Sequence, residues 1–115
     1  MIARSWRATA GPEGARRYEE HFRTTVLPEL RAVAGFRTAY LMRRDDGDSE
    51  RTVQIHVLTF WESMAAITGF AGDTPQSAVV DAAAQAVLSA FDRTVDHYEA
   101  EQHYAQPPRR SGPPG

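Results

Sequence analysis

The chain has 115 residues, a net charge of −2 at pH 7, and hydrophobic and charged fractions of 42% and 24%. That describes one globular domain, and gives no electrostatic basis for binding nucleic acid or an anionic membrane. The sequence contains no Cys, Lys or Asn, which removes thiolate and lysine nucleophiles, disulfides, Schiff bases and Cys-ligated metals.

No apolar run reaches the roughly 18 residues of a membrane span. The opening MIARSWRATA alternates polar and apolar residues instead of forming an apolar signal segment, so a cytoplasmic location is expected. Alternation over Ile2–Ala8 predicts a strand, which Gly11-Pro12 ends. Tyr18, Phe22 and Val26 then recur on one face of an amphipathic helix. Pro28 is expected to kink or restart that helix, while Leu27, Leu30 and Val33 continue its apolar face to Gly35. Phe36–Arg44 and Thr52–Trp61 read as two strands joined by a turn over Asp45–Glu50, with an Asp-Gly signal.

Both parities of the third strand carry apolar groups: Val53, Ile55 and Val57 on one, Leu58 and Phe60 on the other. That pattern predicts a sheet covered on both faces. Met64, Ile67 and Phe70 give helical spacing up to Gly72. Thr74-Pro75 reads as a helix start, so the Ala-rich segment to Phe91 is expected to be helical. Thr94–Ala100 reads as a fourth strand. Residues 1–104 form the expected domain, and 105–115 a Pro/Gly/Arg tail too poor in apolar residues to fold alone.

The resulting order is β-α-β-β-α-β, an α+β ferredoxin-like fold with a four-stranded antiparallel sheet and helices on one face. The other face, with Leu58 and Phe60, would stay bare in a monomer, so a homodimer packed sheet to sheet is expected.

Trp6 within IARSWR, Gly35-Phe36, the FWES junction at Phe60–Ser63, Phe70-Ala71-Gly72 and His97-Tyr98-Glu99 together resemble the antibiotic-biosynthesis-monooxygenase-like family of dimeric α+β barrels. The resemblance implies a pocket between sheet and helices, with an aromatic at its mouth. One group of relatives oxidises polycyclic phenols to quinones with no cofactor or metal, because the deprotonated substrate itself reduces dioxygen. Trp61 matches that group, whereas Val57 and Ile67 stand where it has Asn and Tyr. Haem-cleaving relatives have Asn, Trp and His where this chain has Trp6, Phe70 and Val80, so no haem is expected.

Strand parity places Ile2, Arg4 and Trp6 on one face with Val57, Thr59 and Trp61. The expected substrate-binding residues are Trp6, Trp61, Phe36, Val57, Thr59, Ile67 and Phe70, for a hydrophobic aromatic small molecule. Trp61 reads equally as a core aromatic that locks strand to helix. Arg4 is the expected charged group for a phenolate or enolate, and His97 the candidate acid or base. His56 has the opposite parity and is expected at the dimer face. The strands bearing His56 and His97 are two spacings of about 4.8 Å apart, too far for one ion, so no metal is expected.

The resemblance implies a cofactor-independent monooxygenase of secondary metabolism acting on an electron-rich aromatic or polyketide-like molecule. A cyclase or isomerase using the same pocket, and a non-catalytic binding or stress-related dimer, fit the same residues.

Overall fold

A computed structural model of the chain describes residues 1–47 and 50–108. Asp48 and Ser49 of the expected turn, and 109–115 of the expected tail, lie outside the described residues. The elements are β1 (Ile2–Ala10), α1 (Pro12–His21), a π-helical turn (Phe22–Val26), α2 (Leu27–Arg31), β2 (Phe36–Asp45), β3 (Val53–Trp61), α3 (Met64–Ala71), α4 (Ala82–Val87), β4 (Ala90–Phe91) and β5 (Asp96–Glu99).

The sheet runs β2-β3-β1-β4, with β5 also on β1. All pairings are antiparallel, and β4 and β5 share one edge of β1, at Ala8–Thr9 and Ile2–Ser5. They are two pieces of one broken last strand, so the architecture is the expected ferredoxin-like α+β fold with a minor fifth strand. β1 and β3 pair without a bulge from Ile2↔Trp61 to Ala10↔Val53. The alternation therefore holds along both strands, and Arg4 lies opposite Thr59 and Trp6 opposite Val57. The register slips instead in β2, between Phe36 and Thr38.

One face of the sheet packs on the helices. Trp6, Ala8, Ala10, Val53, Ile55, Val57 and Trp61 meet Ala15, Tyr18, Phe22, Leu30 and Ile67 there, all buried. Pro28 has no N–H and its ring crowds the carbonyl four residues earlier. The chain absorbs this by widening one turn, in which the Leu27 amide reaches back to the Phe22 carbonyl, and the helix continues. Gly35 adopts a φ of 92° where any Cβ would come within 2.5 Å of the Ala66 methyl, so β2 starts against α3 only with glycine there.

Two expectations change. The helix expected from Thr74 begins only at Ala82, where Asp81 is the cap and its carboxylate accepts from the Ala84 amide at 2.8 Å. Between 73 and 81 the chain is neither helix nor strand, apart from one antiparallel bridge, Ser77↔Thr94. The Pro75 and Ser77 carbonyls, which a helix would use internally, accept from the Arg4 side chain. Consecutive β-branched Val79 and Val80 add to the preference for extended backbone. The last strand also begins earlier than Thr94 and is interrupted. Asp92 accepts from the Trp6 indole at 2.8 Å and donates its amide to the Arg7 carbonyl at 2.9 Å, which ends β4.

The outer face carries Leu58 and Phe60 on β3 beside Tyr40 and Met42 on β2, which are 55% and 40% exposed. His56 lies on this face, within 2.7 Å of the Ser5 hydroxyl. No helix among the described residues is long and apolar enough to cross a membrane.

Candidate functional site

Between sheet and helices lies a cavity of about 50 Å³, lined by Arg4 and Trp6 of β1, Val57 and Thr59 of β3, Tyr18 of α1, Phe22 and Val26 of the π turn, Leu30 of α2, Phe70 of α3, Val79 and Val95. β-pairing brings Arg4, Trp6, Val57 and Thr59 to this wall. The Tyr18/Phe22/Val26 repeat supplies the facing one. Ser63 starts α3 by accepting from the Ala66 amide at 3.1 Å, which aims Phe70 inward.

Arg4 is the charged group of the cavity and is only 6% exposed. Its Nη1 donates to the Pro75 carbonyl and to Nε2 of His97 at 3.0 Å, and its Nη2 to the Ser77 carbonyl at 2.9 Å. The guanidinium carbon lies 6.0 Å from the centre of the Phe70 ring. Among the described residues no carboxylate pairs with it. Burial pushes its pKa down to about 10, which leaves it a cation at neutral pH. An arginine offers only donors, so His97 must accept through a bare Nε2 and carry its proton on Nδ1. Burial, then the Arg4 charge, lowers the His97 pKa below its ordinary value, and Asp96 opposes this.

Two more polar side chains, Tyr18 and Thr59, line the same space. Thr59 accepts from the Trp61 indole at 2.9 Å and keeps its own proton available. Burial, and then Asp81, raise the Tyr18 pKa, so its hydroxyl remains a neutral donor.

Of the residues singled out from sequence, Arg4, Trp6, Val57, Thr59 and Phe70 meet at the cavity. Trp61 is fully buried one layer behind it, with Phe36 at 5.3 Å edge-on and Phe70 at 5.9 Å. Ile67 is also fully buried and does not line the cavity. His97 touches Arg4 without lining the cavity. The helix contribution of Tyr18, Phe22, Val26 and Leu30 was visible as an apolar face, but nothing in that spacing separates a cavity wall from ordinary core. Among the described residues no three His, Asp or Glu side chains converge on a metal position. A larger open concavity of about 740 Å³ includes the outer-face residues Arg7, Met42, Arg44 and His56.

The sequence matches the antibiotic biosynthesis monooxygenase family over residues 1–82, and the chain belongs to that family. Its structure is similar to that of a Deinococcus radiodurans protein designated an antibiotic biosynthesis monooxygenase, at 16% identity and a TM-score of 0.56, over 92% of this chain and 98% of the other. It is also similar to a monooxygenase from the gene ActVA-Orf6 of Streptomyces coelicolor in complex with the ligand nanaomycin D, at 18% identity and a TM-score of 0.52, over 94% of this chain and 92% of the other. At these identities the likeness is one of fold. A comparison with curated proteins gave no significant match.

Proposed function

We propose that this protein is a small cofactor-independent monooxygenase of secondary metabolism, and that it binds an electron-rich aromatic or polyketide-like molecule as its anion against Arg4. The observation that carries this is a buried guanidinium without a counter-charge in an aromatic-walled cavity. Such a cation favours a phenolate or enolate over its neutral acid and so lowers the ligand's pKa. The anion is then the reductant. It passes one electron to dioxygen, and the two radicals combine into a peroxide at a ring carbon. Loss of that carbon's remaining proton, with O–O cleavage, leaves a carbonyl. Overall a CH₂ and one O₂ become C=O and water.

In this scheme Trp6 and Phe70 stack on the ligand, Val57 shapes the wall, and Tyr18 and Thr59 donate hydrogen bonds to ligand oxygens. Trp61 and Phe36 hold Phe70 in place from the layer behind. His97 acts through Arg4, fixing the guanidinium with its neutral Nε2. The fold is shared with a monooxygenase that holds nanaomycin D, which supports a small-molecule role. We propose further that two copies pair through the outer sheet faces in the cytoplasm, since exposed Tyr40 and Met42 continue the Leu58/Phe60 surface.

Oxygen-electrode measurements on purified, chelator-treated protein with a panel of polycyclic phenols test the proposal. Uptake of one O₂ per carbonyl formed is expected, with near-complete loss in Arg4→Met. Turnover that continues without oxygen would replace oxygenation with cyclisation, and binding without turnover would leave a binding module.

A further inference from the structure

A site for a drug-sized molecule needs roughly 300–1,000 Å³, and the cavity offers about 50 Å³. One of its walls must therefore move. Among the lining residues, Val79 alone is an exposed large side chain, 51% exposed, on a stretch outside every helix and strand. No residue from Gly72 to Asp81 is buried. A segment with so little burial opens at low cost compared with the sheet.

Its attachments are few. The Ala78 amide donates to the Arg93 carbonyl at 2.8 Å and the Val95 amide to the Gln76 carbonyl at 2.9 Å, on either side of the Ser77–Thr94 pair. At its far end Asp81 meets His21 at 2.9 Å and caps α4. At its near end Gly72 has a φ of 76°, a natural pivot. Ala78 and Val80 pack against the core, and the Gln85 side chain donates to the Val80 carbonyl at 2.9 Å. The charged tie comes from beneath, where Arg4 of the central strand grips the Pro75 and Ser77 carbonyls.

We infer that residues 73–81 form the lid of the cavity and that Arg4 is its latch, so that an anionic ligand opens the lid by taking the guanidinium from the Pro75 and Ser77 carbonyls. This rests on the reading of the cavity as an anion site. The direction of the exchange follows from charge. A guanidinium bonds a charged oxygen more strongly than a neutral carbonyl, and the released carbonyls, on an exposed segment, turn to water. A neutral ligand of the same shape offers no such trade and opens the lid less readily, so it binds more weakly. Selectivity for anions then comes from the lid as well as from the site, which couples recognition to access.

The absence of cysteine permits a reversible lock. The hydrogen bonds around Ser77 and Thr94 mark a non-hydrogen-bonded antiparallel pair, with Cα atoms about 4.5 Å apart, inside the range of a disulfide. In the double variant Ser77→Cys, Thr94→Cys, oxidation should weaken 1-naphthoate binding at least tenfold by calorimetry. Reduction of the same sample should restore wild-type affinity, which also shows that the variant folds. Equal affinity in the two redox states would overturn the lid while leaving the anion site standing. Failure of 1-naphthoate to bind the wild type would overturn the anion site, and ligand-driven opening with it. The latch is read separately, by hydrogen exchange without ligand. Arg4→Met should speed exchange of the Ala78 and Val95 amides about tenfold while β1–β3 amides stay protected, and unchanged exchange there would overturn the latch.

Discussion

Trp61→Ala should damage the fold before it reports on binding. The side chain has no exposed surface, makes an edge-on contact with Phe36 at 5.3 Å and a tilted one with Phe70 at 5.9 Å, and donates to Thr59 at 2.9 Å. Truncating a buried aromatic costs about 3–5 kcal/mol through lost transfer energy and the cavity left behind. The two ring contacts and the indole hydrogen bond place this site toward the upper end. At ~2.1 cal/mol/K per residue, a chain of 115 residues has an unfolding entropy near ~0.24 kcal/mol/K, so the melting temperature should fall by roughly 12–20 °C. Calorimetric melts at one fixed protein concentration measure this, since association would otherwise shift both curves. Trp61→Phe, which keeps most of the ring contacts, should lose less than half as much. A drop below about 4 °C in Trp61→Ala, together with lost 1-naphthoate binding, would refute the reasoning and make Trp61 a wall that touches ligand.

The wild type should sediment as a dimer at micromolar concentration, with about 2,000 Å² or more buried. Leu58→Asp combined with Phe60→Arg should give a folded monomer, and a monomeric wild type would refute the sheet-to-sheet pairing. Burial and neighbouring Arg charge lower the pKa values of both His97 and His56 in the folded chain, so the unfolded chain binds protons more readily. The stability they contribute is complete above about pH 6.5 and is lost as the pH falls below it. His97→Gln should flatten, without abolishing, that acid-side slope in denaturant titrations, because His56 keeps its share, and an unchanged slope would contradict the His97–Arg4 bond. Tyr18→Phe should weaken 1-naphthoate binding by about 0.5–1.5 kcal/mol, the worth of one hydrogen bond, with little change in melting temperature.

The sheet was legible in the sequence because its information is local. β1 and β3 alternate strictly, and with no bulge between them parity alone put Arg4, Trp6, Val57 and Thr59 on one wall. Pro28 marked its own irregularity. The stretch after Gly72 was not legible. Thr74-Pro75 and the alanines that follow carry helix signals, but the carbonyls of Pro75 and Ser77 are claimed by Arg4, a residue 71 positions from Pro75 and 73 from Ser77. The break in the last strand has the same origin, since Trp6 of β1 takes the Asp92 carbonyl. Trp61 shows a third limit. A fully apolar environment and a ligand-filled one select the same residue, and only the packing of Phe36 and Phe70 around the indole distinguishes them.

The ionisation state of a phenol inside the cavity is the most direct measure of what Arg4 does. 1-Naphthol titrated in the presence of excess protein, and followed by the phenolate absorption band, gives its pKa when bound. Beside an uncompensated buried guanidinium that pKa should lie at least roughly one unit below the value in water, equivalent to about 1.4 kcal/mol of preference for the anion. In Arg4→Met the bound value should return to that in water or rise above it. An unshifted bound pKa in the wild type, or an equal shift in Arg4→Met, would contradict the assignment of Arg4 as the group that makes the substrate an anion.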